Sequence, residues 1–391
     1  MKDKKMKNHL KQLIAISLLI LSFSVIYIPL NLNSPKNEHV SNYNNPSPPQ
    51  SLTDSSPIRI SSDSDFLSYG FPGTGSKEDP FRIENLVINR LGWARRPDGI
   101  RIENVSKSFI IQNCWISASC AIRIISCTSD SIQLINNWCR GGGDVDYLGI
   151  FINGINAHSF KAINNTCLDY YNGMYIIDAL YSVIENNMLI RNTMGIKVES
   201  NISFSKIINN YCMNNYDGMD IWNSNAVLYK NNYFYNNING FVAYNISNCK
   251  IIDNLFDNNT SYAIINTAFL SPNHIYHNTF INNRKNGASQ AIEWGKYDLW
   301  YNESLKEGNY WSNWFGLGPY HIDGRANFID LYPLEKPVQA TFTKYPFPFL
   351  GRIILIISVT SIISVAMIVI SEFYLKKRQK HVDTNSQLDE K

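Results

Sequence analysis

The sequence predicts an all-β fold whose body is a single parallel β-helix, a solenoid of about eight to ten coils. Three observations predict it. A Gly-led apolar alternation recurs at Gly149-Ile-Phe-Ile, Gly173-Met-Tyr-Ile, Gly195-Ile-Lys-Val, Gly218-Met-Asp-Ile and Gly240-Phe-Val-Ala. Its beat of about 22 residues is long enough for three short strands and three turns, which is one coil. An Asn followed two positions later by a core-type residue keeps the same beat: Asn165/Cys167, Asn187/Leu189, Asn210/Cys212, Asn232/Phe234, Asn254/Phe256 and Asn278/Phe280.

Coils of such a solenoid stack at strand spacing, about 4.8 Å, so equivalent residues lie one above another. The Asn column then becomes a ladder in which each side-chain amide bonds to the next coil and to nearby backbone, satisfying groups the turn would bury unpaired. Its members are Asn113, Asn137, Asn165, Asn187, Asn210, Asn232, Asn254 and Asn278. A residue repeated in every coil is structural, since chemistry needs only one.

Residues 1–30 open on Lys2, Lys4, Lys5, Lys7 and Lys11 and pass into an apolar stretch from Leu13 to Leu30. They read as a signal peptide or N-terminal membrane anchor. Residues 31–56, rich in Asn, Ser and Pro, read as a disordered linker. Residues 57–98, with Ile58-Arg-Ile, the loop Gly73-Thr-Gly-Ser-Lys-Glu-Asp79-Pro-Phe and Ile83-Glu-Asn-Leu-Val-Ile, are expected to cap the open end and form the first coil. The repeats occupy 99–285, starting with Gly99-Ile-Arg-Ile and Ala121-Ile-Arg-Ile. The turn Arg140-Gly-Gly-Gly-Asp-Val-Asp-Tyr147 lengthens one interval.

Residues 286–340 are an aromatic cap, since large rings cover an exposed coil end efficiently. Residues 351–375, charge-free from Ile353 to Ile370, read as a transmembrane helix, and 376–391, with Lys376, Lys377, Arg378 and Lys380, as a cytoplasmic basic tail. Basic flanks at both ends of the chain place the repeats outside the cytoplasm. The expected partner at both termini is the lipid bilayer and the expected location the cell membrane, with the β-helix extracytoplasmic.

The tail Gly308-Asn-Tyr-Trp-Ser, Tyr320, Asp323-Gly324 and Asp330-Leu-Tyr-Pro-Leu-Glu-Lys-Pro337 is similar to the end of the NosD family of right-handed β-helices, and Asp79-Pro-Phe-Arg-Ile-Glu-Asn-Leu resembles that group's first coil. The resemblance implies right-handed coils and a superfamily of carbohydrate-binding proteins, sugar hydrolases, lyases and epimerases, among which fold does not choose. Members often carry an acidic loop before Pro-Tyr, where this chain has Asn313-Trp-Phe-Gly-Leu-Gly, so a calcium site of that kind is not implied. Copper is not expected either: His274 and His277 have ligand-like spacing, but His158 and His321 are distant and no Met cluster joins them.

Charged residues make up 17% of the chain and the net charge is +3, much of it in the terminal flanks, so no nucleic-acid footprint exists. Seven Cys are present. Cys139, Cys167 and Cys212 occupy the core column and read as buried hydrophobes, with Cys139 and Cys167 the pair placed to bridge. Sequons at Asn104, Asn164, Asn201, Asn245, Asn258, Asn259 and Asn302 fit an external glycoprotein.

Function then rests on the outward positions of the Gly-led strand. The first reads Arg101, Arg123, Phe151, Tyr175, Lys197, Asp220, Val242 down the coils, and the second Glu103, Ile125, Asn153, Ile177, Glu199, Trp222, Tyr244. Tyr175, Trp222 and Tyr244, with Asp178 and Asp217 at the turns, are candidate glycan-binding groups, because pyranose faces stack on rings while hydroxyls bond to charges. Lys197, Glu199 and Asp220 are candidate catalytic groups: a carboxylate pair for hydrolysis, or a lysine base for a lyase or epimerase. A solvated face with a Lys197–Asp220 ion pair is the competing reading. The acidic and aromatic turns Asp144, Asp146, Tyr147, Asp169, Tyr170, Tyr171, Tyr216 and Asp217 could line a groove or take calcium. The expected partner is therefore a polysaccharide or surface glycan, with no cofactor beyond that calcium and no resident metal, and the alternative is a non-enzymatic surface scaffold.

Overall fold

The computed structural model describes residues 51–91, 98–142, 147–155, 160–267, 272–325 and 327–338. Each coil threads three parallel sheets. In one coil the long strand Asn172–Ile177 is followed by Val183–Glu185 and Met188–Ile190 before the chain returns to the long strand Met194–Ser200. Within the coils each strand pairs with its equivalent one coil away, while Tyr320–His321 and Ile329–Asp330 in the C-terminal cap form a separate antiparallel pair. Among the described residues this builds two sheets of 11 strands and one of 9. Val183–Glu185 belongs to the second sheet, Met188–Ile190 to the third.

The apolar alternation works as the pleat requires. Ile100, Ile122, Ile150, Met174, Ile196, Met219 and Phe241 lie in one register column and are buried. The third sheet supplies the core column Ile116, Cys139, Cys167, Leu189, Cys212, Phe234, Phe256, Phe280 and Trp311. From Phe234 onward these rings stack face to face, with centroids 4.6 Å apart at Phe234–Phe256, 5.0 Å at Phe256–Phe280 and 4.0 Å at Phe280–Trp311. All seven cysteines are buried and free. Burial pushes the thiols of Cys114 and Cys249 up to about 12, which suits small hydrophobes better than reactive groups.

The Asn ladder runs between the second and third sheets. The side-chain oxygen of each member accepts the backbone N–H of the member before it, at 3.1 Å from Asn137 to Asn165, 2.8 Å from Asn165 to Asn187 and 3.0 Å from Asn187 to Asn210. It continues through Asn232, Asn254 and Asn278 and then onward to Asn309, whose own N–H donates to Asp330 Oδ2 at 2.7 Å. Asn113 is a correction: the ladder position in its coil is held by Cys114, whose N–H donates to Asn137 Oδ1. Asn113 precedes it at φ 54°, the left-handed turn position that Asn136, Asn164, Asn186, Asn209 and Asn231 occupy in later coils. Asn serves two adjacent columns, one buried and bonded, one outward and left-handed.

A second ladder stands five residues further on. Asn192, Asn215, Asn237, Asn259 and Asn283 form the same relay between the third sheet and the next long strand, ending on Gln290 Oε1. Its pattern, Asn-x-x-x-x-Asn in successive coils from Asn187/Asn192 to Asn278/Asn283, is visible in the sequence once the first column is set. Membership in this ladder buries Asn259, so that sequon has no surface to carry a glycan.

The N-terminal cap departs from the strands expected there. A short helix, Asp63–Ser68, closes the first coil; Ser62 and Asp65 form a reciprocal capping box. Phe66 is fully buried and stacks on Phe81 at 4.7 Å. The ordered fold also starts before 57. Thr53–Asp54, inside the stretch expected as linker, pairs with Leu86 and Val87 and extends the third sheet. At the other end Trp311 stacks on Tyr320 at 4.0 Å and donates Nε1–H to Asp330 Oδ2 at 2.9 Å. The expected membrane segments 1–30 and 351–375 and the tail 376–391 lie outside the described residues. Among the described residues no helix is long and apolar enough to cross a membrane.

Candidate functional site

Register turns the outward positions of the long strands into real neighbours. Arg101, Arg123, Phe151, Tyr175, Lys197, Asp220 and Val242 pair in sequence across the sheet. Toward the N-terminal coils the face is a salt-bridge network: Arg59 and Arg101 bind Glu103 at 2.8 and 2.7 Å, and Arg101 and Arg123 bind Asp98 at 3.4 and 2.8 Å. In the middle it turns aromatic. The Arg123 guanidinium lies 4.9 Å over Phe151, whose ring is 5.3 Å from Tyr175.

The strands Met194–Ser200, Asp217–Trp222 and Asn239–Tyr244 then bring four of the candidate groups together. Lys197 Nζ lies 2.5 Å from Asp220 Oδ2 across neighbouring coils. Trp222 Nε1–H donates to Asp220 Oδ1 at 2.7 Å, and the ammonium sits 4.7 Å from the Trp222 ring. Trp222 and Tyr244 are register partners with ring centroids 4.5 Å apart. Trp222 is 39% exposed, whereas Asp220 is 5% exposed. The site is an aromatic ledge standing on a closed ion pair.

Glu199 does not join it. The ladder slips after Ile176/Val198, so that Ile177 pairs with Ser200 and Glu199 is the extra, exposed residue of a β-bulge. Asp178 sits in the turn after Asn172–Ile177 at φ 52° and accepts from Ser200 Oγ at 2.9 Å, at the strand end opposite Asp217. Asp217 begins the strand that carries Asp220. It accepts from Asn239 Nδ2 at 2.8 Å, and burial, reinforced by the nearby Asp220 carboxylate, pushes its carboxyl up to about 6.

The turn set does not converge on one point. Asp169 is engaged by Arg191 at 2.8 Å and Arg140 at 3.6 Å, Tyr170 is buried in the core, and Tyr216 is exposed. Asp144 and Asp146 lie outside the described residues, as does His158. His277 binds Glu307 at 2.6 Å, while His274 lines a separate cavity of about 280 Å³ with Lys250, Tyr276, Leu299 and Tyr301. Among the described residues no group of three or more His, Cys, Asp or Glu is placed to hold a metal ion.

One polar cluster was not read from the sequence. Glu293 and Asp298, both buried, share the amide of Asn266; Glu293 also accepts from the Gly295 N–H at 2.6 Å, and Asp298 from the Asn273 N–H at 2.8 Å. Burial and the neighbouring Asp298 raise Glu293 to about 9. Nothing at Ala291-Ile-Glu-Trp distinguishes an inward Glu, because the repeat beat has faded there.

Residues 148–291 match the family model described as "Right handed beta helix region". Among solved structures, Geobacillus virus E2 ORF18 is similar at 11% identity with a TM-score of 0.28, over 59% of this chain and 56% of that one. The chain thus spans about half the length of that protein. No curated protein matches this chain.

Proposed function

We propose that this right-handed β-helix binds polysaccharide or a surface glycan across the outer face of its long strands, around Trp222 and Tyr244, and does not cleave it. The observation that carries this reading is the exposed Trp222 ring beside Tyr244 on top of the Lys197–Asp220 pair. Adjacent tilted rings offer apolar faces to successive sugars, and the Lys197 ammonium beside Trp222 offers a hydroxyl partner at their edge. Asp220 is spent on structure: one oxygen is held by the Lys197 ammonium and the other by the Trp222 indole, and the side chain is buried, which suits it to a fixed ion pair better than to acid or base work on a substrate. The same closed pair favours the second reading, a non-enzymatic scaffold whose face is ion-paired for stability. In either case the basic flanks of the sequence support display from a membrane on the extracytoplasmic side.

The test is retention of the full-length protein, in detergent, on a panel of acidic and neutral polysaccharides, with new reducing and unsaturated ends followed in parallel. Binding that is lost in Trp222→Ala, without new ends, is the expected result. New ends that disappear in Asp217→Asn would replace binding with catalysis. Retention on no polymer would leave the scaffold reading.

A further inference from the structure

The outer face of the second sheet carries a row of cations without counter-charges. Its first outward column reads Lys161, Val183, Lys206, Leu228, Lys250, His274 in continuous register. Lysines therefore stand in every second coil, about 10 Å apart at strand spacing, with a half-buried apolar residue between successive ones. On the long-strand face Arg59, Arg101, Arg123 and Lys197 each bind a carboxylate. Among the described residues Lys161, Lys206 and Lys250 have no such partner. The charged groups of the adjoining column are engaged elsewhere: Lys230 binds Asp253 at 3.2 Å, and Glu185 accepts from Asn209 Nδ2 at 3.3 Å.

The row runs into the cavity of about 280 Å³ whose wall holds Lys250, His274, Tyr276 and Tyr301. That volume lies just under the roughly 300 Å³ at which small-ligand sites begin, which suits one sugar unit better than a stretch of chain. Burial and the adjacent Lys250 ammonium hold the His274 imidazole below its ordinary value, so the neutral ring can both donate to and accept from hydroxyls. Glu303, the one carboxylate in the wall, is engaged with the Tyr301 hydroxyl.

We propose that this row binds an acidic polysaccharide laid along the rod axis, one carboxylate for every two sugars, with a terminal sugar in the cavity. A pyranose in an extended chain advances about as far as one coil. A disaccharide repeat therefore brings its charge to Lys161, Lys206 and Lys250 in turn and sets the intervening sugars over Val183 and Leu228. A nucleic-acid strand fits poorly: with a phosphate every ~3.4 Å it brings roughly three charges to each lysine and leaves most of them over apolar side chains. The site lies on a different sheet from Trp222 and Tyr244 and is separate from binding there.

The experiment uses the full-length protein in detergent and a hyaluronan hexasaccharide, which has one carboxylate per disaccharide, beside neutral chitohexaose and oligothymidylate. Carbodiimide coupling of the hyaluronan carboxylates, mapped by mass spectrometry, is expected to give adducts on the peptides that carry Lys161, Lys206 and Lys250. In calorimetry at about 0.05 M salt, each single Lys→Gln variant is expected to weaken binding about threefold and the triple variant more than tenfold, as exposed ion contacts contribute. Lys77→Gln, off the row, is expected to leave it unchanged. No binding, adducts spread over all surface lysines, an unaltered triple variant, an equal loss in Lys77→Gln, or tighter binding of chitohexaose or oligothymidylate would each overturn the proposal. At about 0.3 M salt exposed ion contacts are screened and retention through Trp222 is read alone, so the two sites fail separately.

Discussion

The ammonium of Lys197 and the carboxylate of Asp220 meet at 2.5 Å across neighbouring coils, with Asp220's second oxygen held by the Trp222 indole. Asp220 is nearly buried, so the pair must be kept or removed whole. Lys197→Met leaves a buried carboxylate without its counter-charge and is expected to destabilise by about 3 kcal/mol, the usual consequence of breaking such a pair. The double variant Lys197→Met/Asp220→Leu is expected to recover most of that loss. Denaturant midpoints at constant m-value measure both.

The ladder gives a sharper contrast between two adjacent residues. Asn210 Oδ1 accepts both the backbone N–H and the side-chain amide of Asn187 at 3.0 Å. Asn210→Ala strands both donors in the interior and is expected to destabilise by on the order of 3 kcal/mol, at about 1–3 kcal/mol for each orphaned buried group. Its neighbour Asn209 matters for its backbone, which stands at φ 57°. Asn209→Gly is expected to be nearly neutral, and Asn209→Val to lose roughly 1–2 kcal/mol to the left-handed conformation. Equal losses for Asn210→Ala and Asn209→Gly would remove the distinction between the two columns.

What was legible in the sequence was whatever repeats. Gly173, Gly195 and Gly218 mark the beat because the pleat admits no side chain there: a Cβ at Gly195 would lie 2.4 Å from the Gly218 carbonyl oxygen. The outward column from Arg101 to Val242 followed directly from that beat. Single events were not legible. The bulge that expels Glu199 is one extra residue in one coil, and the capping helix Asp63–Ser68 occurs once. The outward column of the third sheet, which sets Trp115, Trp138, Thr166, Met188, Tyr211 and Tyr233 in register, was hidden for another reason. Met188, Tyr211 and Tyr233 flank the core column, and a short three-residue strand such as Tyr-Cys-Met or Tyr-Phe-Tyr shows no alternation to tell inside from outside.

The C-terminal cap turns on Gly308 and Asp330. A Cβ at Gly308 would overlap the Asp330 carboxylate, which collects the Asn309 N–H, the Trp311 indole and the Tyr332 N–H at 2.7, 2.9 and 3.1 Å. Gly308→Ala is expected to displace Asp330 and loosen Trp311 from the end of the ring stack. The readout is faster hydrogen exchange confined to residues 308–332, with the middle coils unchanged, because a solenoid frays from its ends.

Stability is expected to fall as pH rises, and the sign follows from Glu293. Its folded carboxyl holds a proton up to about 9, because it is buried and sits beside Asp298, which burial also raises. Unfolded, it ionises near the usual carboxylate value of about 4.3. Between those two values the folded chain binds more protons than the unfolded one, so each step up in pH favours unfolding. Stability from this group is complete below the unfolded value and is lost progressively until pH about 9. Asp217 and Asp330, each raised to about 6 chiefly by burial, steepen the fall at its acidic end. Glu293→Gln keeps a neutral side chain able to donate to Asp298. The variant is expected to match the parent near pH 5 and exceed it in Tm at pH 8, with a flattened profile from pH 6 to 9. A parent Tm that rises over that interval would mean that Glu293 is ionised in the folded protein.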